Sequence, residues 1–238
     1  MPRDFELTVQ VALDAGPDVA WPAIATGEGL AAWFMPMPVD PHSAMVKVWE
    51  PGVRLVIEMP PAPDGGFQAF DYAIDGRGDG TSALRFTHRG VLGDGTPDGF
   101  EAMTLAGWQM YLHTLGQYER HFPGRRAQYV EADGPPSSSS PDSWARLLAA
   151  LGLDPAVEPV ALGAWVGIEL AGTDPIGAEV DYAAEHFVGL RAADALVRFH
   201  ERSSIGMPIA VSHHVYLEPV DVPALTRAWV SWLAEACG

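Results

Sequence analysis

Histidine is the side chain best suited to acid–base chemistry near neutral pH, and two histidines of this chain lie at positions that predict an inward orientation. His88 alternates with Leu84 and Phe86, so it shares their face of a predicted strand. His213 shares a face with Val211 in the same way. Each can serve as a general acid or base, or can be a core histidine hydrogen-bonded to a backbone or tyrosine oxygen.

A metal site is the second chemistry that these histidines allow. The alternating pattern places His186 on the face of Val180 and Val188, from which it could approach the interior near His213. However, neither His-x-His nor His-Glu-x-x-His spacing occurs, and a third ligand would have to be guessed. Cys237 is the only cysteine, which excludes an intrachain disulfide and a thiolate metal cluster. The sequence therefore predicts no metal and no cofactor.

A pocket for an apolar ligand is the third kind of site. When a long helix packs on a curved sheet, the space left between them is walled by the helix stripe and the concave strand face. The alternative is that the same side chains pack on one another as ordinary core. The predicted pocket residues are Trp33, Phe34, Phe70, Tyr72, Phe86, His88, Trp108, Tyr111 and Leu112.

The element that must position these side chains is a long helix predicted over residues 98–122. Asp98 can cap its first turn, and Glu101 completes a capping-box pattern three residues later. Apolar residues then recur at three- and four-residue steps, which places them on one helix face. This stripe consists of Leu105, Trp108, Leu112, Leu115, Tyr118 and Phe122.

Alternating and periodic patterns predict the remaining elements. Strands are expected at 5–13, 44–50, 54–59, 67–75 and 82–92, with one or two short helices in 19–34. A Pro-, Gly- and Ser-rich linker is expected at 123–141. After it come a helix at 143–151, strands at 160–170, 177–190, 194–202 and 208–217, and a final helix that begins near Asp221.

This order of elements, together with several short motifs, resembles the START-like or SRPBCC superfamily, whose helix-grip fold is shared by birch-pollen-allergen-like proteins. Within it, the chain looks most like the bacterial heat-shock-protein-90 ATPase activator homologues. The motifs lie within residues 5–122. They are Val19-Ala-Trp-Pro-Ala-Ile24, Gly29-Leu-Ala-Ala-Trp-Phe34, Trp49-Glu-Pro-Gly-Val-Arg-Leu55, Leu84-Arg-Phe-Thr-His-Arg-Gly90, and Gly107-Trp108 with Leu112, Leu115 and Tyr118.

The resemblance implies an α+β protein in which a curved antiparallel sheet wraps around a long C-terminal helix. The expected domains are a START-like domain at 1–122, the linker at 123–141, and a shorter, degenerate START-like unit at 142–238 that lacks the opening strand. Thr87-His88 before one helix and Ser212-His213 before the other suggest this repeat.

The function that the resemblance implies is the binding of an apolar small molecule between sheet and helix, without catalysis. One alternative is an enzyme of the cyclase or hydrolase type that uses His88 with Tyr72 or Glu101. The other is an interaction that stimulates a chaperone ATPase.

Composition narrows the partners. The formal net charge of −17 would repel nucleic acid and anionic lipid, so we expect binding to neither. No apolar run reaches the roughly 20 residues of a membrane span, and no signal peptide is recognisable, which predicts a cytoplasmic protein. Arginine almost without lysine is typical of a GC-rich bacterial genome. Apolar surface on a shortened second unit would favour its packing on the first unit or a homodimer.

Overall fold

The computed structural model describes residues 3–63, 65–96, 99–156 and 160–238. The chain divides into two compact units, Met1–Arg126 and Ala127–Gly238. Each unit contains one antiparallel sheet and ends in a long helix. Within the described ranges, no helix combines the length and the apolar character needed to cross a bilayer.

The first unit is a five-stranded antiparallel sheet with two short helices after its first strand and one long helix at its end. The elements are β1 Arg3–Leu13, α1 Pro17–Ala25, α2 Gly27–Ala31, β2 Val46–Glu50, β3 Arg54–Glu58, β4 Phe67–Gly76, β5 Ser82–Leu92 and α3 Phe100–His121. The strands pair in the order β1-β5-β4-β3-β2. Each element predicted over residues 5–122 is thus present, with ends shifted by a few residues.

The start of α3 differs from the capping box expected there. Gly99 is the N-cap residue, with a φ of 83° that favours glycine, and no side chain among the described residues caps the helix. Asp98, the predicted cap, lies outside the described residues. Glu101 reaches across to Arg3 on β1 and forms an ion pair with it. The α3 stripe faces the sheet, because the ring of Trp108 contacts Phe86 on β5.

The second unit repeats this topology with six strands. Its elements are β6 Gln128–Asp133, α4 Asp142–Ala150, β7 Trp165–Ile168, β8 Ile176–Ala184, β9 Phe187–Ala192, β10 Ala195–His200, β11 Ala210–Val215 and α5 Val222–Cys237, with short 3-10 helices at Pro136–Ser139 and Ser203–Ile205. The strands pair in the order β6-β11-β10-β9-β8-β7. As in the first unit, the opening strand pairs with the last strand before the terminal helix.

The predicted linker at 123–141 is corrected by this structure. Its middle forms β6, which pairs along its length with β11 and places Val130 opposite His213. The serine run is folded as well, since Ser138 is buried and its Oγ accepts the backbone N–H of Ile209 at 3.1 Å. Only Val130 and Ala132 of β6 are buried. An edge strand with two core residues gives a weak alternating pattern, and the Pro- and Ser-rich sequence around it led to the prediction of a linker. The second unit therefore has its opening strand.

The single strand predicted at 177–190 is also corrected, because the chain turns back at 185–186 to form the β8–β9 hairpin. The predicted inward orientation of His186 assumed that side chains alternate without interruption from Val180 onward. A register shift between Val180 and Tyr182 interrupts this alternation. His186 lies in the turn, with its Nδ1 2.9 Å from Oε2 of Glu201. No group of three potential metal ligands converges anywhere in the described residues.

Both units have an α+β architecture in which an antiparallel sheet carries a long terminal helix. The two short helices after β1 correspond to the 3-10 helix and α4 after β6. The helix-grip fold predicted for the first half is confirmed, and the second half contains the same plan with one strand more.

Candidate functional site

Eight of the nine predicted pocket residues form one network of ring contacts in the first unit, here called the aromatic cluster. Its members are Trp33, Phe34, Phe70, Tyr72, Phe86, His88, Trp108 and Tyr111. Trp108 lies at the centre, with ring centroids 4.1 Å from Phe86 and 5.3 Å from Phe34. Leu112, the ninth residue, is buried one turn further along α3.

His88 is hydrogen-bonded at both ring nitrogens, to Trp108 at one and to Gln68 at the other. The indole Nε1–H of Trp108 donates to Nδ1 of His88 at 3.0 Å. The imidazole proton therefore lies on Nε2, which donates to Oε1 of Gln68 at 3.2 Å. Burial lowers the pKa of His88 to about 4, so the ring is neutral near pH 7.

This geometry favours a positioning role for His88 over proton transfer. Its Nδ1 lone pair is occupied by the indole, and its low pKa makes it a weak base. Tyr72 is fully buried, and burial raises its pKa further above the usual value. Glu101 is engaged with Arg3, and Phe5 stands against the His88 ring at 5.0 Å. His88 thus fits the alternative of a hydrogen-bonded core histidine, with the amide of Gln68 and the indole of Trp108 as its partners.

The rings of the aromatic cluster differ in burial. Trp108 is 7% exposed and Phe86 fully buried. In contrast, Phe34, Phe70 and Tyr111 are half-buried, although the rings of Phe34 and Tyr111 touch with centroids 4.6 Å apart. These three residues form a partly accessible aromatic rim around a buried tryptophan.

The first two turns of α3 are less buried than its middle. None of the residues 100–107 is buried, although Phe100, Met103 and Leu105 are apolar. From Trp108 to Glu119, by contrast, seven residues of the helix are buried. The inward residues in the middle of β1, which include Leu7, are likewise only half-buried. The first two turns of α3 are therefore less covered than its middle, although Phe100 still contacts Phe5 of β1 with ring centroids 6.1 Å apart and Glu101 pairs with Arg3.

The second unit contains an equivalent pair in a more completely buried setting. Nε1–H of Trp229 on α5 donates to Nδ1 of His213 on β11 at 3.0 Å. Burial lowers the pKa of His213 to about 3. The residue paired with His213 on the neighbouring strand is Val197, where the first unit has Phe70 opposite His88. An aliphatic residue thus replaces the half-buried aromatic one.

Two contributors to the aromatic cluster's surroundings were absent from the sequence prediction. Gln68 shares strand parity with Phe70 and bonds His88, while Phe5 packs edge-on against the same ring. Away from the cluster, the sequence prediction also passed over Glu119, which is buried on α3 at 5% exposure. A signal existed for Gln68 and Glu119, because each is a polar residue at an inward position of an apolar pattern.

Comparison with known proteins yields no matching family model and no matching curated protein. Similar solved structures include the Aha1 dimer from Colwellia psychrerythraea, with 15% identity, 48% of this chain and 96% of that chain covered, and a TM-score of 0.38. DynU16, a putative protein of the dynemicin biosynthetic locus, shows 15% identity, coverage of 98% and 95%, and a TM-score of 0.40. The di-domain ARO/CYC protein BexL of the BE-7585A pathway shows 12% identity, 98% coverage of both chains, and a TM-score of 0.40. Similarities at this level carry no argument about the function of this chain.

Proposed function

We propose that the first unit binds an apolar small molecule between its sheet and α3, with the aromatic cluster as the wall of the site and without a catalytic step. The observation that carries this proposal is the half-buried rim of Phe34, Phe70 and Tyr111 around a Trp108 held by His88. Three neighbouring aromatic rings that remain partly exposed form an apolar patch of the kind that marks ligand-binding grooves.

The chemistry of the rim suits an apolar, preferably flat, ligand. Aromatic rings offer large contact area and prefer stacked or edge-to-face partners with centroids within about 7 Å. The acid–base groups near the cluster are engaged: His88 is neutral and doubly hydrogen-bonded, and Glu101 is ion-paired. This supports binding over turnover, because neither of these two groups is left poised to move a proton.

Native mass spectrometry of freshly purified protein, compared with the denatured mass, gives the first test. We expect an excess mass that is lost on denaturation and extracts as a small apolar molecule. Protein without bound molecule is then titrated with the neutral fluorescent probe N-phenyl-1-naphthylamine, which should bind saturably. Absence of both the excess mass and saturable probe binding would contradict the proposal.

A matched pair of variants locates the site. Phe70→Ala should weaken probe binding about tenfold, because an aromatic contact contributes roughly 1 kcal/mol beyond its buried area. Val197→Ala changes the equivalent register position of the second unit and should leave the affinity within about twofold. Equal losses in the two variants would show that the probe does not report on the aromatic cluster.

A further inference from the structure

Glu119 occupies an unusual position on α3, in the middle of the apolar stripe. Trp108, Leu112, Leu115, Glu119 and Phe122 follow one another at steps of four, three, four and three residues, which places them on one helix face. All five are buried, and Glu119 is 5% exposed. A carboxylate therefore stands where the helix pattern calls for an apolar side chain.

The carboxylate of Glu119 is buried without a hydrogen-bond partner. Both of its oxygens are shielded from solvent and accept no hydrogen bond within the described part of the chain. Buried polar groups are nearly always paired, because leaving a carboxylate unpaired in a protein interior is costly. This group therefore calls for a partner that is not part of the unit's own side chains.

A cavity of about 250 Å³ lies against this residue. Glu119 forms part of its wall, together with apolar side chains of α1 such as Val19, Pro22 and Ala23. Since a water occupies roughly 30 Å³ of liquid, the volume exceeds that of one bridging water and suits a small organic molecule.

The α1 and α2 wall of the cavity is firmly held. A Cβ on Gly29 would lie 2.0 Å from the carbonyl oxygen of Pro22, so only glycine permits this approach of the two helices. The indole Nε1–H of Trp33 adds a hydrogen bond of 2.9 Å to the carbonyl oxygen of Ala23. The α1 and α2 wall of the cavity is therefore packed structure, and residues 123–126 after α3 complete the lining.

The charged groups around the cavity have other partners. Arg120 donates to Asp14 through Nε at 2.7 Å, and Arg126 Nη2 lies 3.1 Å from Glu28 Oε1. The guanidinium of Arg125 lies over the ring of Phe122. None of these cations bonds Glu119 within the described residues.

We propose that this cavity binds a small molecule with an apolar body and one ammonium group, and that the ammonium pairs with Glu119. The apolar body would lie against the α1 side chains, and the pairing requires the Glu119 side chain to turn toward the cavity it lines. The formal charge of −17 favours the approach of a cation. This site is separate from the aromatic cluster and does not depend on it.

The ionisation of Glu119 makes the proposal measurable. Burial, followed by the negative charge of Asp14, raises the pKa of Glu119 to about 7. Tyr118 and Glu28 are the other ionisable groups of the cavity wall, beside Arg125 and Arg126. An ammonium ligand favours the ionised carboxylate, so its affinity should rise with pH through this range.

Benzylammonium is a suitable probe, and benzyl alcohol is its neutral counterpart. Binding is measured by two-dimensional amide NMR titration of the full chain. We expect saturable shifts at α1, α2 and the end of α3, with benzylammonium affinity rising at least about threefold from about pH 6 to about pH 8 while benzyl alcohol affinity stays constant. Because this comparison uses the wild-type protein, it does not depend on the folding of a variant.

Glu119→Gln removes the charge and keeps the shape. It should weaken benzylammonium binding about tenfold or more at pH 8, because a charge-assisted pair is replaced by a neutral contact. Glu185→Gln, in the exposed β8–β9 turn of the second unit, should change the affinity by less than about twofold, since exposed charges contribute little. Phe70→Ala should leave it unchanged, which separates this site from the aromatic cluster.

Two results would overturn the proposal. One is that benzylammonium produces no saturable shifts at these elements at pH 8. The other is that benzylammonium and benzyl alcohol bind equally well, with no response to pH or to Glu119→Gln. The second outcome would reduce the cavity to an apolar gap in which the carboxylate plays no part.

Discussion

In each unit, the last strand before the terminal helix carries a buried histidine whose Nδ1 accepts an indole N–H from that helix at 3.0 Å. The pairs are His88 with Trp108 and His213 with Trp229. In both units the histidine is neutral near pH 7, because burial lowers its pKa to about 4 or about 3. The pair fixes one rotation and height of the helix over the sheet, since an indole has a single donor.

The surroundings of the two pairs differ. In the first unit Phe70 lies opposite the histidine and is half-buried, whereas in the second unit Val197 takes that place and is fully buried. The turns of α5 before Trp229 include the buried residues Leu225 and Ala228, while none of residues 100–107 is buried. The same histidine–tryptophan hydrogen bond therefore occurs in a partly exposed and in a fully buried setting. The side chains around the pair determine how completely it is buried.

The largest expected difference between the units comes from removing the tryptophans. Trp229→Ala should lower the free energy of unfolding of the second unit by about 3–5 kcal/mol, because it leaves a cavity in a closed core. Trp108→Ala should lower the free energy of unfolding of the first unit by less. The turns of α3 before Trp108 are not buried, so water or neighbouring rings can occupy the vacated space. Urea unfolding followed by amide hydrogen exchange resolves the two units. Equal losses would show that the first unit is as tightly filled as the second.

Glu119 gives the next largest effect, and its sign follows from linkage. Its folded-state pKa is about 7 against an ordinary 4.5, so the folded protein binds more protons between these values and loses stability as pH rises through them. Glu119→Gln removes this loss, and should raise the free energy of unfolding by up to about 3 kcal/mol at pH 8 and by little near pH 4. Thermal unfolding across this pH range measures it.

Glu101→Gln is the control on the same helix. It removes the ion pair with Arg3 and so should not stabilise the protein at any pH. A stability gain for Glu119→Gln that did not grow with pH would mean that the carboxylate is already satisfied in the folded state.

Much of the first unit could be predicted from the sequence because its strands alternate clearly and its long helix is strongly periodic. The parity of His88 with Leu84 and Phe86 predicted its inward orientation, and it is 3% exposed. In the second unit the same reasoning failed twice. The strand β6 offers only two buried residues, and an alternating pattern continued across the turn at 185–186.

The polar part of the site was harder to predict, for a physical reason. Gln68 and Glu119 are polar residues that interrupt an apolar face, so a search for apolar periodicity alone does not identify them. The cavity beside Glu119 depends on the close approach of α1 and α2 at Gly29, which is a tertiary contact without a local pattern. Sequence periodicity indicates which face of a helix or strand is buried. It does not indicate where packing against that face leaves a cavity.

The smallest expected effect tests the remaining difference between the two histidines. Nε2 of His88 donates to Gln68, whereas Nε2 of His213 is buried without a hydrogen-bond partner among the described residues. Gln68→Leu makes the first unit resemble the second in this respect, and should cost about 1 kcal/mol of unfolding free energy, the net contribution of one hydrogen bond.

Gln10→Leu, at an exposed position of β1, is the control and should stay within about 0.5 kcal/mol of wild type. If Gln68→Leu leaves the free energy of unfolding equally unchanged, water replaces the amide as the partner of His88, and the two histidine–tryptophan pairs are energetically equivalent. If it costs about 1 kcal/mol and also weakens N-phenyl-1-naphthylamine binding, the amide orients His88, and through it the indole of Trp108, for the ligand. The second result is expected, because Gln68 is the only difference in hydrogen bonding between two otherwise matched pairs in the described residues.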